Sequence, residues 1–504
     1  MRNAVSLAWC RRNNAHFELE RRITMSNTID FNKLREKISV LVGPPTFSGG
    51  KKQKPVLNQQ FFAKLADEVY KPIYEKTEEE FYIYSPETGL WEHQNTATML
   101  ERLSDLMMRF ANATGDTFVN SKRDVNTIRQ ILSFMKSDQC CGRENAFARK
   151  DTDEPFIHCG NGVITFPRKE DGRRIPVLVE FDPKFMSRNR TDINFREDAV
   201  CPEFLDRLLK PAMTQDDINH FQLCFGQCLL GVNDSQTILL IIGKAGGGKS
   251  TAVNIVEKVI KRKNCTELRL KHMADSRFET QRLLGKTLLT AKDVPSNFLN
   301  SSGAYMLKAL TGKDTVTIEH KGSNDASDVC CAFNVIITAN KTLRIAVDGD
   351  ADAWKRRIII VNFNNAPHPK DKIPNFDDYL LAREGEGIVR WAVDGAVLLL
   401  ENDGKIKKTE TQENKVNDLL QESDPLTDFV KSCLVQEEDS DVTTAELVES
   451  FYTFCNERGW LLLPQRVIEN RLPDYVYESF GLSKRTDIRR CGKNHRGYRG
   501  LRLT

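Results

Sequence analysis

Apolar residues recur along this chain with two periods, and the switches between them mark out its elements. The run Thr237 to Ile242 is continuously apolar after its threonine and reads as a strand buried on both faces. Val253, Val256 and Ile260 follow on one face of a helix. Three later runs, 287–291, 333–338 and 358–363, read as further strands, and residues 201–235 before them read as helical. Earlier, Asp30 to Val42 has a weak helical pattern. Met99, Leu100, Leu103, Leu106, Met107 and Phe110 keep helical spacing, as do Val125, Ile128, Ile131, Leu132 and Met135. Phe81 to Tyr84 and Leu90-Trp91 predict a hairpin. Phe156 to Phe166 predicts another, with Asn161-Gly162 supplying positive φ angles at its turn. Alternation over Thr315 to Glu319 predicts a strand, with His320, Lys321 and Gly322 at a hairpin tip. Near the end, Leu426, Phe429, Val430 and Leu434 open a small domain, and Thr443 with Glu446 reads as a capping box.

This pattern over 504 residues predicts about three domains. No apolar run approaches the roughly 20 residues that span a bilayer. Lys and Arg total 73 against 70 Asp and Glu, so any nucleic-acid surface must be local rather than global. The 13 cysteines form no CxxC pair, which argues against a zinc site and for reduced thiols in a cytoplasmic setting. Met1 to Asn14 is basic and free of acids, but its apolar part is short and broken for a signal peptide. The first two dozen residues therefore read as a dispensable extension, with Met25 an alternative start.

One stretch carries specific chemistry. Gly243-Lys244-Ala245-Gly246-Gly247-Gly248-Lys249-Ser250, between a strand and a helix, is the phosphate-binding P-loop pattern. Backbone N–H groups of the loop, continuing to Thr251 at the helix start, are aimed at an anion. Lys249 is placed to reach the β- and γ-phosphates of ATP, and the Ser250 hydroxyl to hold Mg²⁺. A hydrolase also needs an acid at a neighbouring strand end, to position Mg²⁺ and the attacking water; Asp293 stands there. Asn340, ending the run 333–338, is a candidate polar sensor of the γ-phosphate, although an Asn there also closes ordinary turns. Arg356 or Arg357 is a candidate to stabilise transferring phosphoryl charge in a neighbouring subunit.

In this order the motifs resemble the superfamily 3 helicases, specifically the helicase module of phage, plasmid and poxvirus-type primase-helicases. The matching points are Asp293, the segment Lys308 to Asp314, Asn340, the Arg356-Arg357 pair and Phe363. Asn161-Gly162-Val163-Ile164 and Cys201 to Leu205 resemble the family's pre-helicase domain, and Glu384 to Gly395 its post-helicase helix. Asp424 to Val430 and the ending Gly497 to Leu503 resemble its C-terminal winged-helix domain. The chain departs from the family at Lys292-Asp293, where many members carry a glutamate or an acidic pair, so the water-activating base stays open. No primase acidic cluster is recognisable, and primase activity is not implied.

The resemblance implies an α/β protein: an AAA+ P-loop core, a mixed α+β N-terminal domain and a small winged-helix domain. The expected division is an extension over 1–59, a pre-helicase domain over 60–200, the ATPase with post-helicase helices over 201–402, a linker over 403–423 and the winged helix over 424–504. It further implies a hexameric ring threading single-stranded DNA 3′ to 5′ by ATP hydrolysis with Mg²⁺, alongside a primase or polymerase partner of a mobile element. Lys308, His320 and Lys321 would meet DNA in the channel. From Lys484 to the end there are eight Lys or Arg residues and one acid, Asp487. Among them Arg489, Arg490, Lys493, Arg496 and Arg499 are expected to contact phosphates of a fork or duplex. An origin-binding loader without processive unwinding and a defence-related NTPase are the competing expectations. A metabolic P-loop kinase leaves the basic C-terminus unexplained.

Overall fold

The computed structural model describes residues 29–48, 54–137, 140–148, 154–276, 279–300, 303–319, 326–345, 351–365, 373–458, 460 and 462–504. It divides into two compact units, residues 1–149 with 182–188, and residues 150–181 with 189–504.

In the first unit, helices Phe31–Val42, Gln59–Tyr70, Thr96–Thr114 and Val125–Met135 each begin at an Asp or Asn. The side chains of Asp30, Asn58, Asn95 and Asp124 accept first-turn N–H groups that have no partner within their helices. The apolar faces of these helices converge on Phe61, Phe62 and Phe110, whose rings meet edge to face at 5.3–5.5 Å. A four-stranded sheet completes the unit, in the order 90–94, 80–85, 73–75, 142–143. The returning segment 182–188 is held by Arg188, which lies 4.5 Å over the Phe147 ring and 2.6 Å from Glu78.

The division at residue 149 falls inside the span 60–200 expected as one domain. Strands 156–159, 162–165 and 177–179 belong to the second unit, because Ile157, Cys159, Ile164 and Phe166 pack into its core with Phe204 and Phe221. The hairpin turn also sits one residue earlier than expected, at Gly160-Asn161, since Cys159 pairs with Gly162. Asn161 spends its amide on the backbone of Phe195, at 2.9 and 3.0 Å.

The second unit is built on five parallel strands: β1 (Ile238–Gly243), β2 (Cys265–Glu267), β3 (Leu288–Val294), β4 (Asn334–Ala339) and β5 (Ile358–Phe363). Their order across the sheet is β2-β3-β4-β1-β5. Alternate residues enter two cores. Leu239, Ile241, Ile336, Ile359 and Val361 face α1 (Gln215–Leu230), α2 (Lys249–Ile260) and α3 (Phe376–Glu401). Ile238, Leu240, Val335, Ile337, Ile358 and Ile360 face the other way. Burial on both sides is why these strands read as unbroken apolar runs. The short β2 carries no such run.

Residues 403–423, expected as a linker, contain α4 (Glu410–Glu422), which covers the open edge of β5. The Gln412 amide bonds both the N–H and the carbonyl of Ile360, at 3.0 and 2.7 Å, satisfying an edge that water would otherwise reach. Lys415 reaches the fully buried Asp217 on α1 at 2.5 Å, while Val416 and Leu419 join the core. The charge of this segment disguised its apolar stripe.

The chain ends in helix Pro425–Cys433, strand Leu434–Thr443, helices Thr444–Arg458 and Gln465–Phe480, and strands Arg485–Arg490 and Lys493–Leu503. The last strand lies between the other two, antiparallel to both. The capping box forms: Glu446 accepts from Thr443 N–H at 2.8 Å, and the Thr443 hydroxyl accepts from Glu446 N–H at 3.2 Å. No helix among the described residues is long and apolar enough to cross a membrane.

Candidate functional site

The sheet order brings the candidate residues to one edge. β1 lies between β4 and β5, with Ile242 opposite Ala339 and Gly243 opposite Phe363. The chain leaves β1 into the loop 244–248 at the carboxyl ends of the strands, next to Asn340. A Cβ on Gly243 would lie 2.1 Å from the Phe363 carbonyl oxygen, so only glycine admits β5 this close. Gly248 takes φ +96° immediately before α2, a turn that side chains rarely make. Lys244, Ala245 and Gly246 are exposed at the loop crown, while Gly247 is buried and Ser250 and Thr251 are half-buried on the first turn of α2.

Lys249 is 3% exposed, and its ammonium donates to the carbonyls of Gly243 and Lys244 at 2.7 and 2.8 Å and to Asn340 Oδ1 at 2.9 Å. Burial holds its pKa below the ordinary lysine value, and the Asp293 carboxylate partly offsets that. A desolvated cation resting on neutral oxygens suits an incoming anion. P-loop and Asn340 therefore meet at one ammonium, and the charge of Asp293 is felt there.

Asp293 owes its place to an irregularity in β3. The pairing with β4 slips between Ala291 and Val294, and Asp293 adopts φ +50° with its N–H donated to the Thr338 hydroxyl at 2.8 Å. Asp tolerates this backbone region better than most residues. Its neighbour Lys292 is committed to Glu257 and Asn254 on α2, at 2.7 and 2.8 Å. The basic residue that departs from the family pattern is thus neutralised by a helix acid, and the exposed carboxylate is that of Asp293. Thr338 and Glu257 were invisible as site residues in the sequence. A hydroxyl in an apolar strand is the only signal the first offers.

The two arginines separate. Helix Ala351–Arg357 exposes Arg356 but leaves Arg357 4% exposed, its Nη1 donating to the Ala353 carbonyl at 3.1 Å. Lys308 lies 5.4 Å over the Trp354 ring on that same helix, a packing role beside the expected contact with DNA. The strands flanking the expected channel hairpin form over 315–319 and 326–330, while His320 and Lys321 lie outside the described residues.

Residues that could hold Mg²⁺ are few. Among the described residues no group of three or more His, Cys, Asp or Glu side chains is set to bind a metal. Ser250 and Asp293 fit the habit of Mg²⁺, which takes one or two protein oxygens and completes its shell with phosphates and water.

In the C-terminal segment the structure sorts the expected phosphate contacts. Arg490 is held by Asp441 at 2.6 Å and Glu446 at 2.9 Å, which together keep its pKa above the usual arginine range. Arg499 and Arg485 share Asp487, at 3.1 and 3.0 Å, and Arg502 pairs with Glu437 at 2.8 Å. Of the expected phosphate contacts, Arg490 and Arg499 are thus ion-paired with nearby acids. Arg489, Lys493 and Arg496 are exposed and have no ion pair among the described residues.

Two segments match protein families. Residues 421–494 match the family described as Poxvirus D5 protein-like. Residues 241–357, from β1 through Arg357, match a family of unknown function, DUF5906. No curated protein matches. Among solved structures, an A form apo structure of the NrS-1 C terminal region aligns over 88% of this chain and 100% of its own, at 12% identity and a TM-score of 0.43. A second apo structure of that region aligns over 87% and 98%, at 14% identity and 0.44.

Proposed function

We propose that this chain is an ATP-dependent DNA helicase of the superfamily 3, AAA+ type, working in replication of a phage, plasmid or other mobile element. The observation that carries the reading is the hydrogen bond from Lys249 to Asn340 at one end of a parallel sheet ordered β2-β3-β4-β1-β5, with Asp293 near the end of β3. The Poxvirus D5 protein-like match at the C-terminus supports the replication context, and the order of elements from 425 to 503 supports a winged helix there.

In this reading the P-loop N–H groups and Lys249 hold the phosphates of ATP, and Ser250 and Asp293 hold Mg²⁺. Bound Mg²⁺ would draw charge off the phosphate oxygens. On phosphate binding, Lys249 exchanges its three neutral acceptors for phosphate oxygens, which releases Asn340 Oδ1 to orient the attacking water. Asp293, near the end of β3, positions the attacking water together with Mg²⁺. Arg356, the exposed member of its pair, reaches the nucleotide of the next subunit in a hexameric ring. Translocation is 3′ to 5′ on one strand, with Lys308, His320 and Lys321 toward the channel.

The test is strand displacement on a forked duplex. Wild type should separate the strands with ATP and Mg²⁺, and Lys249→Ala should abolish both hydrolysis and displacement. Hydrolysis on DNA with no strand ever displaced would replace this reading with that of a loader.

A further inference from the structure

We propose that the C-terminal segment docks on the phosphate backbone of duplex DNA through the turn end of its last hairpin, and that helix 465–480 stays out of the groove. This rests on the reading that the chain works on DNA. In the usual arrangement of such an element order, the helix before the hairpin enters the major groove and reads base edges. Here that helix is ill suited. It carries Glu469, Asp474 and Glu478, and its Arg471 is taken by Asp424 at 2.8 Å and by the Tyr475 hydroxyl at 2.5 Å. Arg466 is the only basic residue it leaves over. Three acids facing phosphates make insertion repulsive.

The hairpin is the opposite case. Cys491 at φ +47° and Gly492 at φ +77° make a two-residue turn between Arg490 and Lys493, which are paired across the strands. Arg489 stands opposite Asn494, and Arg496 lies two residues beyond on the same strand face as Asn494. All three are exposed, and the neighbouring Ile488 is fully buried. Farther from the turn the arginines are consumed by acids: Arg485 and Arg499 by Asp487, Arg502 by Glu437. Of this stretch's cations with no ion pair among the described residues, Arg489, Lys493 and Arg496 cluster at the turn end of this two-stranded finger, and Lys484, half-buried, precedes it. Such cations contact phosphates and carry no base sequence.

The experiment is fluorescence anisotropy of the full chain on a labelled DNA duplex, without nucleotide, across a salt series. Each phosphate contact contributes about 0.9 to the slope of log affinity against log salt. The triple variant Arg489→Gln/Lys493→Gln/Arg496→Gln should flatten the slope by about 2.7. Arg466→Gln should leave affinity within about twofold, because that helix makes no contact. Two unrelated duplex sequences should bind equally. An unchanged slope in the triple variant overturns the proposal, as does a large loss with Arg466→Gln, a clear sequence preference, or tighter binding to duplex RNA. Arg489→Lys/Arg496→Lys keeps charge and should retain the slope, which separates lost contacts from a misfolded hairpin. Wild type that binds with this slope yet displaces no strand sinks the helicase reading alone.

Discussion

The P-loop end of the parallel sheet and the turn end of the last hairpin both present positive charge at the tip of a β structure, but they handle it oppositely. At the first, a single ammonium is drawn inside and held by three neutral oxygens, with no salt bridge among the described residues. At the second, guanidinium groups stay at the surface, and acids neutralise Arg490 beside the turn as well as Arg499 and Arg502 farther along. Desolvation makes one buried charge strong and selective for a compact anion. Solvent makes surface charges weak singly and additive together, which suits a long polyanion. Counting cations therefore locates the second surface poorly, because half of the eight from Lys484 onward are paired with acids.

The comparison breaks hardest at the arginine pair. Arg356→Ala should lower kcat of the assembled ring about 10³-fold, while mixed rings with a Lys249→Ala subunit should regain turnover at shared sites. Arg357→Ala should instead lower thermal stability, since that side chain is buried. Should both variants lose kcat with Tm unchanged, the assignment to Arg356 falls. Asn340→Ala removes one acceptor from Lys249 and the proposed water ligand. A drop of about 10²-fold in kcat with nucleotide affinity nearly kept is the expected result in steady-state ATPase assays. A loss confined to KM would make Asn340 a binding residue.

At the hairpin the expected effects are smaller. Arg490→Gln breaks two half-exposed ion pairs and should cost about 0.5 kcal/mol in denaturant unfolding, with the salt slope of DNA binding unchanged. A slope change would return Arg490 to the contact surface. The smallest effect is on pH. The hydrogen bond from Arg490 holds the Glu446 pKa below the ordinary value of 4.5, against the opposing effect of its partial burial. The folded state therefore gains stability above pH 4.5, and that gain is lost as pH falls through the lowered folded value. Comparing wild type with Glu446→Gln across this window by thermal melts should show the difference closing toward acid. A difference that persists would deny the ion pair its role.

The strand, loop and helix around Gly243 to Ser250 were legible in the chain, because their signals are local. A glycine pattern between a two-sided apolar strand and an amphipathic helix is written in consecutive residues, and Asn340 stands one residue after the last residue of β4. The capping box at Thr443 and Glu446 was legible for the same reason. What escaped was carried by partners distant in sequence. Gln412 covering Ile360 made a helix of a segment read as linker. Lys292 reaching Glu257 settled which residue at the end of β3 carries the free charge.

By itself the sequence determined the P-loop, the apolar strands that frame it and the basic character of the chain's end, since each follows from residue type at fixed spacing. Only the tertiary structure decided that Asp293 reaches its place through a slip in strand pairing and that Arg356 rather than Arg357 faces solvent. It also decided that Arg489, Lys493 and Arg496 stay exposed near the turn while Arg490 and Arg499 pair with acids. Burial and ion pairing depend on what lies across space, and a pairing between residues 441 and 490, or 217 and 415, has no local trace in the order of the chain.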